Sequence, residues 1–395
     1  MIQSVIALLA PLLLFASQGP LQLDLETPDG RLSSHDLVAP LAAPLPEGVA
    51  FIRYVGGSSA PPVPGGNASV RLLDGGRMSA GFLGGEGDFL DLSIVGDVRL
   101  RVSVEELSSV VIQDRIPLDW GRKLEAAPEG DRIYRVAPRG LERLDGTLEA
   151  FTEEGVLFTT RVGQKSFAWD DLCALFIEPL GDELDSPPSG TYVIVDLVDG
   201  GRVHGGLLEI RSKEMDLVTR AGRGLRLPRG CVKEVFIPNA GATFLSEIEP
   251  SRVNAEGSPF GDGFGMIWPH RVDRSVTGQL LRAGGELFTR GIGVHAPSRI
   301  EWTLDGTWSA LRLGIAIDDE VLALPSKGSV VFRVLVDGEL SYESESLTGG
   351  LGALTVPVVS LKGATRLSLE VEMAADLHVA DRADWLRPVL FGRDG

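Results

Sequence analysis

At 395 residues the chain is longer than one ordinary hydrophobic core supports, so roughly two to four units are expected. The formal net charge is −18, with 55 acidic residues scattered along the whole length and no basic block; such a chain repels phosphate backbones, which argues against nucleic acid as a partner. The 49 glycines and 24 prolines punctuate short runs of Val, Leu and Ile, the pattern of an all-β chain. Cys173 and Cys231 show no CxxC or Cys/His spacing for zinc; a disulfide between them and two separate buried thiols both stay open.

The chain starts MIQSVIALLAPLLLFASQGP, whose apolar run Val5 to Ala16 has the length of a signal-peptide core and is too short to span a bilayer. Residues 1–18 are therefore read as a signal peptide and the protein as exported to periplasm, cell envelope or medium. No basic residue precedes the run and the cleavage site is poorly formed, which departs from the usual pattern. No later stretch is long and apolar enough to cross a membrane. Residues 19–67 hold two proline-rich stretches, APLAAPLPEG and SSAPPVPGGN, and read as an irregular arm with two or three strands.

From Val70 a unit recurs. VRLLDGGRMSAGFL and VDLVDGGRVHGGLL each place a strand, an Asp-Gly turn (Asp74-Gly75, Asp199-Gly200) and a second strand in a row. The closing isoleucines, Ile112 and Ile237, each lie 37 residues after the turn glycine. A shorter middle copy is read from Asp145-Gly146 to Ile177. Asp-Gly between alternating strands predicts tight hairpins, type I′ where both central residues take positive φ. The unit resembles the Sm-like small β-barrel, which implies small antiparallel barrels at 68–115, 136–180 and 190–240; the RNA-contacting motifs of that family have no counterpart here.

Beyond Ala242 three strands alternate cleanly: Leu311, Leu313, Ile315 and Ile317; Val330, Phe332, Val334 and Val336; Leu367, Leu369, Val371 and Met373. A period of two buries one face of each, and a two-sheet sandwich over 242–392 follows. The blocks RGIGVHAPSRIEWTLDG, LRLGIAIDDEV, SVVFRVLVDGELSYESESLTG and DRADWLRPVLF resemble the NPCBM family, a galactose-binding-like jelly-roll β-sandwich. That resemblance implies binding of a glycan or polysaccharide.

A glycan site pairs an aromatic platform with carboxylates, amides or guanidinium groups. Trp385, with Asp384 and Arg382 in DRADW, offers the best such mixture, and Asp318 and Asp319 follow a strand where loop carboxylates accept hydrogen bonds from hydroxyls or bind calcium. Structural packing of Trp385, and amide capping by Asp318, are the competing roles. Trp302, in phase with Ile300 and Leu304, is expected in the core, and Trp308 at the sandwich edge; Trp268, in MIWPH, is undecided. His295 is expected as a hydrogen-bonded structural residue just after Gly291 and Gly293, which fit a close backbone approach. His35, His204, His270 and His378 have no recognisable catalytic partner, and no GxSxG, HExxH or phosphate loop occurs.

The expectation is an exported, all-β, non-catalytic protein: tandem small antiparallel barrels followed by a jelly-roll sandwich that binds carbohydrate or another envelope component. The alternatives are an assembly protein contacting envelope proteins, and an unrecognised glycoside hydrolase with an accessory module.

Overall fold

Short β-branched runs between glycines form antiparallel strands throughout the chain. The computed structural model describes residues 21–55, 66–117, 124–137, 140–179, 190–238, 240–254, 268–375 and 379–392. The signal-peptide reading, most of SSAPPVPGGN and His378 fall outside them.

The N-terminal arm is more regular than expected. It forms four strands, β1 (Gln22–Glu26), β2 (Leu32–Asp36), β3 (Leu41–Ala42) and β4 (Phe51–Tyr54). β1 pairs with both β2 and β4.

Three five-stranded units follow. The first contains β5 (Ala68–Leu72), β6 (Arg77–Glu86), β7 (Phe89–Ile94), β8 (Val98–Ser103) and β9 (Leu107–Ile112). The second contains β10 (Asp131–Ala137), β11 (Gly140–Phe151), β12 (Gly155–Thr160), β13 (Gly163–Ala168) and β14 (Leu172–Phe176). The third contains β15 (Thr191–Leu197), β16 (Arg202–Ile210), β17 (Glu214–Val218), β18 (Gly224–Pro228) and β19 (Val232–Phe236). In each, the first strand pairs with the second and the fifth, and the second, third and fourth follow in order. No closed barrel forms among the described residues. The fifth strand turns its other edge outward instead: β9 pairs with β14, and β19 with β4.

The first and third hairpins are built alike. Gly75 N–H donates to Leu72 O and Gly200 N–H to Leu197 O, while Asp74 and Asp199 each accept from the amide two residues on, Gly76 and Gly201. Only the glycines take positive φ, 91° and 82°, so these are type I turns closed by a left-handed glycine, not the type I′ turns expected. Asp337-Gly338 does take positive φ at both positions.

Asp145-Gly146 is not a turn. It lies inside β11, where Gly146 is in register with Asp131 on one side and Thr160 on the other, so the middle unit begins at β10. The glycine is required for close approach: a Cβ there would collide with the carbonyl of Thr159. Asp145 pairs with the buried Arg132 across the strands, 2.6 Å from its Nε.

The C-terminal part packs two antiparallel sheets. One is built on Gly291–His295, Arg382–Phe391 and Ala310–Ile317, the other on Ser298–Thr303, Arg366–Met373 and Ser329–Val336. The alternating residues face each other as expected, with Leu311, Ile315, Phe332, Val334, Leu367 and Leu369 buried. Trp302 is in this core and donates from Nε1 to Ile248 O at 2.9 Å; Trp308 is also buried.

The sandwich rests on the third unit and the arm through an apolar centre with charged flanks. Phe51 and Phe236 stack at 5.3 Å, and Phe244 of the sandwich meets both edge-on. On one flank Glu26 and Glu234 face Arg53, Arg312 and Arg387. On the other, Asp196 joins Arg202 and Arg290, and Asp273 joins Arg77 and Arg202.

Candidate functional site

Where the strand Gly291–His295 runs beside Arg382–Phe391, His295 is in register with Arg382. Glycine at 291 and 293 allows this edge to be crowded: a Cβ would meet Trp385 O from Gly291 and Arg274 O from Gly293. The indole of Trp268 lies flat over this pair, its centroid 5.3 Å from the His295 ring with planes 16° apart, and the Arg382 guanidinium carbon 5.6 Å from the same centroid. Trp268 is half-buried, whereas His295 is buried and donates from Nδ1–H to Ala296 O at 2.8 Å.

Glu320 completes the cluster. Its Oε1 is 3.4 Å from Arg382 Nη1, and its Oε2 accepts from Ser275 Oγ at 3.3 Å and from the Thr277 hydroxyl. The 3-10 turn Asp319–Ala323 brings Glu320 there, and Asp318 caps it by accepting from Glu320 N–H at 2.8 Å. Arg382 thus links the half-exposed indole to the Glu320 carboxylate, which two hydroxyls also reach, that of Ser275 wholly buried and that of Thr277 partly exposed. Chemically, such a set offers an apolar plane for C–H groups and both donors and acceptors for hydroxyls.

The other residues expected at the site fall differently. Trp385 is wholly buried, edge-on to Phe332 at 4.9 Å, and provides no open platform. Its strand is central, between Gly291–His295 and Ala310–Ile317, and register puts its ring on the core face. Asp384 is also wholly buried; burial, then the carboxylates of Asp318, Glu320 and Asp319, push its pKa well above the ordinary carboxylate value. Arg382 alone of the DRADW set reaches the cluster.

Asp318 and Asp319 serve backbone amides. The second oxygen of Asp318 accepts from Arg282 N–H at 3.0 Å, and Asp319 accepts from Gly284 and Gly285 N–H at 3.0 and 2.7 Å. Calcium needs about six to eight oxygens, and these two carboxylates are spent on loop amides. No group of three or more metal-ligating side chains gathers among the described residues, and this donor set does not fit the ion.

Sequence reasoning left Trp268 undecided, and Ser275 and Thr277 went unnoticed. The two lie in a turn closed by Gly278 N–H onto Ser275 O, which brings their hydroxyl oxygens to 3.1 Å. Cys173 and Cys231 are separate, buried free thiols in different units.

Comparison with known proteins agrees with the sandwich. Residues 242–391, the C-terminal sandwich, match the model of the NPCBM/NEW2 domain. A protein of Akkermansia muciniphila, "Alpha-1,3-galactosidase B", is 33% identical over 120 residues, 29% of this chain and 14% of that protein. A Renibacterium salmoninarum protein, "Putative endo-alpha-N-acetylgalactosaminidase", is 35% identical over 108 residues, 27% of this chain and 7% of that protein. The chain therefore spans only a small fraction of either relative. Among solved structures, the CBM51 module of Clostridium perfringens GH95 in complex with methyl-galactose has 24% identity and a TM-score of 0.33, covering 38% of this chain and 99% of that one. The Sm-like resemblance of the repeated units is not supported by these comparisons. Among the described residues no helix is long and apolar enough to cross a membrane.

Proposed function

We propose that the protein is an exported, non-catalytic carbohydrate-binding protein whose C-terminal module holds a glycan, or another envelope component displaying one, at the Trp268 face. The observation that carries the reading is the indole of Trp268, half-exposed over His295 and Arg382 with Glu320 alongside, within the residues that match the NPCBM/NEW2 domain. A sugar stacks its C–H face on the indole, and Arg382, Glu320 and Thr277 serve its hydroxyls. The glycosidase names of the two relatives support a carbohydrate setting. Export is supported by the apolar run Val5 to Ala16.

The test is a glycan array on the full-length protein, followed by titration of the best ligand. Trp268→Ala is expected to weaken binding by about tenfold or more with the unfolding midpoint retained. Binding to no glycan, or unchanged affinity in Trp268→Ala, overturns the site. Hydrolysis of the bound glycan overturns the non-catalytic reading.

A further inference from the structure

Arginines of three neighbouring strands stand in one row. Arg71 of β5 is in register with Arg77 of β6, and Arg77 with Arg202 of β16. Like charges directly opposite on adjacent strands destabilise a sheet, and this row of cations stands in a chain of net charge −18. The row is neutralised from one end only. Arg202 donates to Asp196 at 2.8 Å and shares Asp273 with Arg77, at 3.1 and 2.9 Å. Asp273 is then fully engaged, since its other oxygen accepts from Gly291 N–H.

At the opposite end Arg71 and Arg274 stand without an ion pair among the described residues. Arg274, from the sandwich, donates to the carbonyl of Asp273. Asp199, which acts on Arg274 electrostatically, turns one oxygen to Gly201 N–H, and burial raises its pKa. Arg77 Nε is buried with no hydrogen-bond partner. Burial, together with the charge of Arg202, lowers the Arg77 pKa to about 10.

These side chains line one pocket of about 120 Å³ at the junction of the first unit, the third unit and the sandwich. Ser69 and Ser79, in register on the same face as Arg71 and Arg77, line it too, as does the Gly200-Gly201 turn. Three guanidinium groups, which only donate, and two hydroxyls, which also can, line a small volume and form the complement of a compact anion with several acceptor oxygens.

We propose that this pocket binds a tetrahedral oxyanion, phosphate or sulfate, either free or as an ester on a glycan, and that the anion supplies the charge missing at this end of the arginine row. It shares no lining residue with the Trp268 face and does not depend on the function proposed for it.

Calorimetric titration of the full-length protein with sodium phosphate and with sodium sulfate tests this, sodium chloride at matched ionic strength being the control. Arg71→Gln and Arg274→Gln are each expected to weaken binding about tenfold. Arg252→Gln, at an exposed position of the sandwich, and Trp268→Ala should leave it unchanged. Arg71 is exposed, so its variant should fold, and without added anion at low salt its unfolding midpoint should equal or exceed that of the wild type because the repulsion with Arg77 is gone. Phosphate should raise the midpoint of the wild type but not of the double variant. Sulfated polysaccharide bound more tightly than its desulfated form, and than free sulfate, assigns the ester as the source; the reverse assigns the free ion. No heat with either anion, an equal effect of chloride, or undiminished binding by the folded double variant overturns the proposal.

Discussion

Arg290 of the sandwich donates from Nε to Asp196 of the third unit at 2.8 Å, with both side chains only 1% exposed. Asp196 also accepts from Arg202, and Arg290 from its other side reaches Glu247. Against the upward push of burial, Arg290 and Arg202 hold the Asp196 pKa below its ordinary value. Its contribution to stability is therefore present above the ordinary carboxylate value and lost as pH falls through the lowered one. Removing one member strands two buried guanidinium groups. Asp196→Ala should destabilise the protein by about 3–5 kcal/mol in urea unfolding; a loss below 1 kcal/mol would mean that water fills the gap and screens the arginines.

Gly146→Ala tests the reassigned middle strand. A turn glycine replaced by alanine would cost about 1 kcal/mol. In β11 the added methyl meets the Thr159 carbonyl, so the cost should be at least twice that, measured by denaturant midpoint.

His204 gives the protein an acid-side slope. Burial, then the charges of Arg202 and Arg290, lower its pKa from 6.5 to about 3, while Tyr192 Oη and His204 Nδ1 are hydrogen-bonded at 2.9 Å. The unfolded chain takes up the proton first as pH falls. Between pH 6.5 and about 3, this group alone should remove about 1.4 kcal/mol of stability per pH unit. His204→Gln should flatten the stability-against-pH profile over that window; an unchanged slope would assign it to other groups.

Asp384 acts in the opposite direction. Its raised pKa favours folding below the ordinary carboxylate value, and this contribution is lost as pH rises through the raised one. Asp384→Asn keeps the shape and removes the titration, so it should raise stability at neutral pH by about 1 kcal/mol or more and have little effect near pH 3. A destabilised variant at pH 7 would show that the charged form is the one the fold uses.

The regular features were written locally. Period-two alternation identified the sandwich strands and placed Trp302 in the core, because side-chain direction in a strand depends only on position along it. The block order RGIGVHAPSRIEW to DRADWLRPVLF identified the NPCBM-type module before any contact was visible. The Asp-Gly pairs of the first and third units marked true hairpins, because a left-handed glycine is a local requirement. Asp145-Gly146 carries the same dipeptide without the turn, because its pairing between β10 and β12, with the Thr159 carbonyl close against Gly146, decides its use.

What the tertiary structure decided was which polar residues share a space. DRADW presents its tryptophan and aspartate as a neighbouring pair beside Arg382, yet a central strand buries Trp385 and Asp384 and leaves Arg382 to meet Trp268 and Glu320. The arginine row depends on Arg77 meeting Arg202 between two units, a register that neither stretch of sequence contains. Composition and periodicity fix which face of a strand is apolar; the pairing of strands far apart in the chain fixes which charges must coexist.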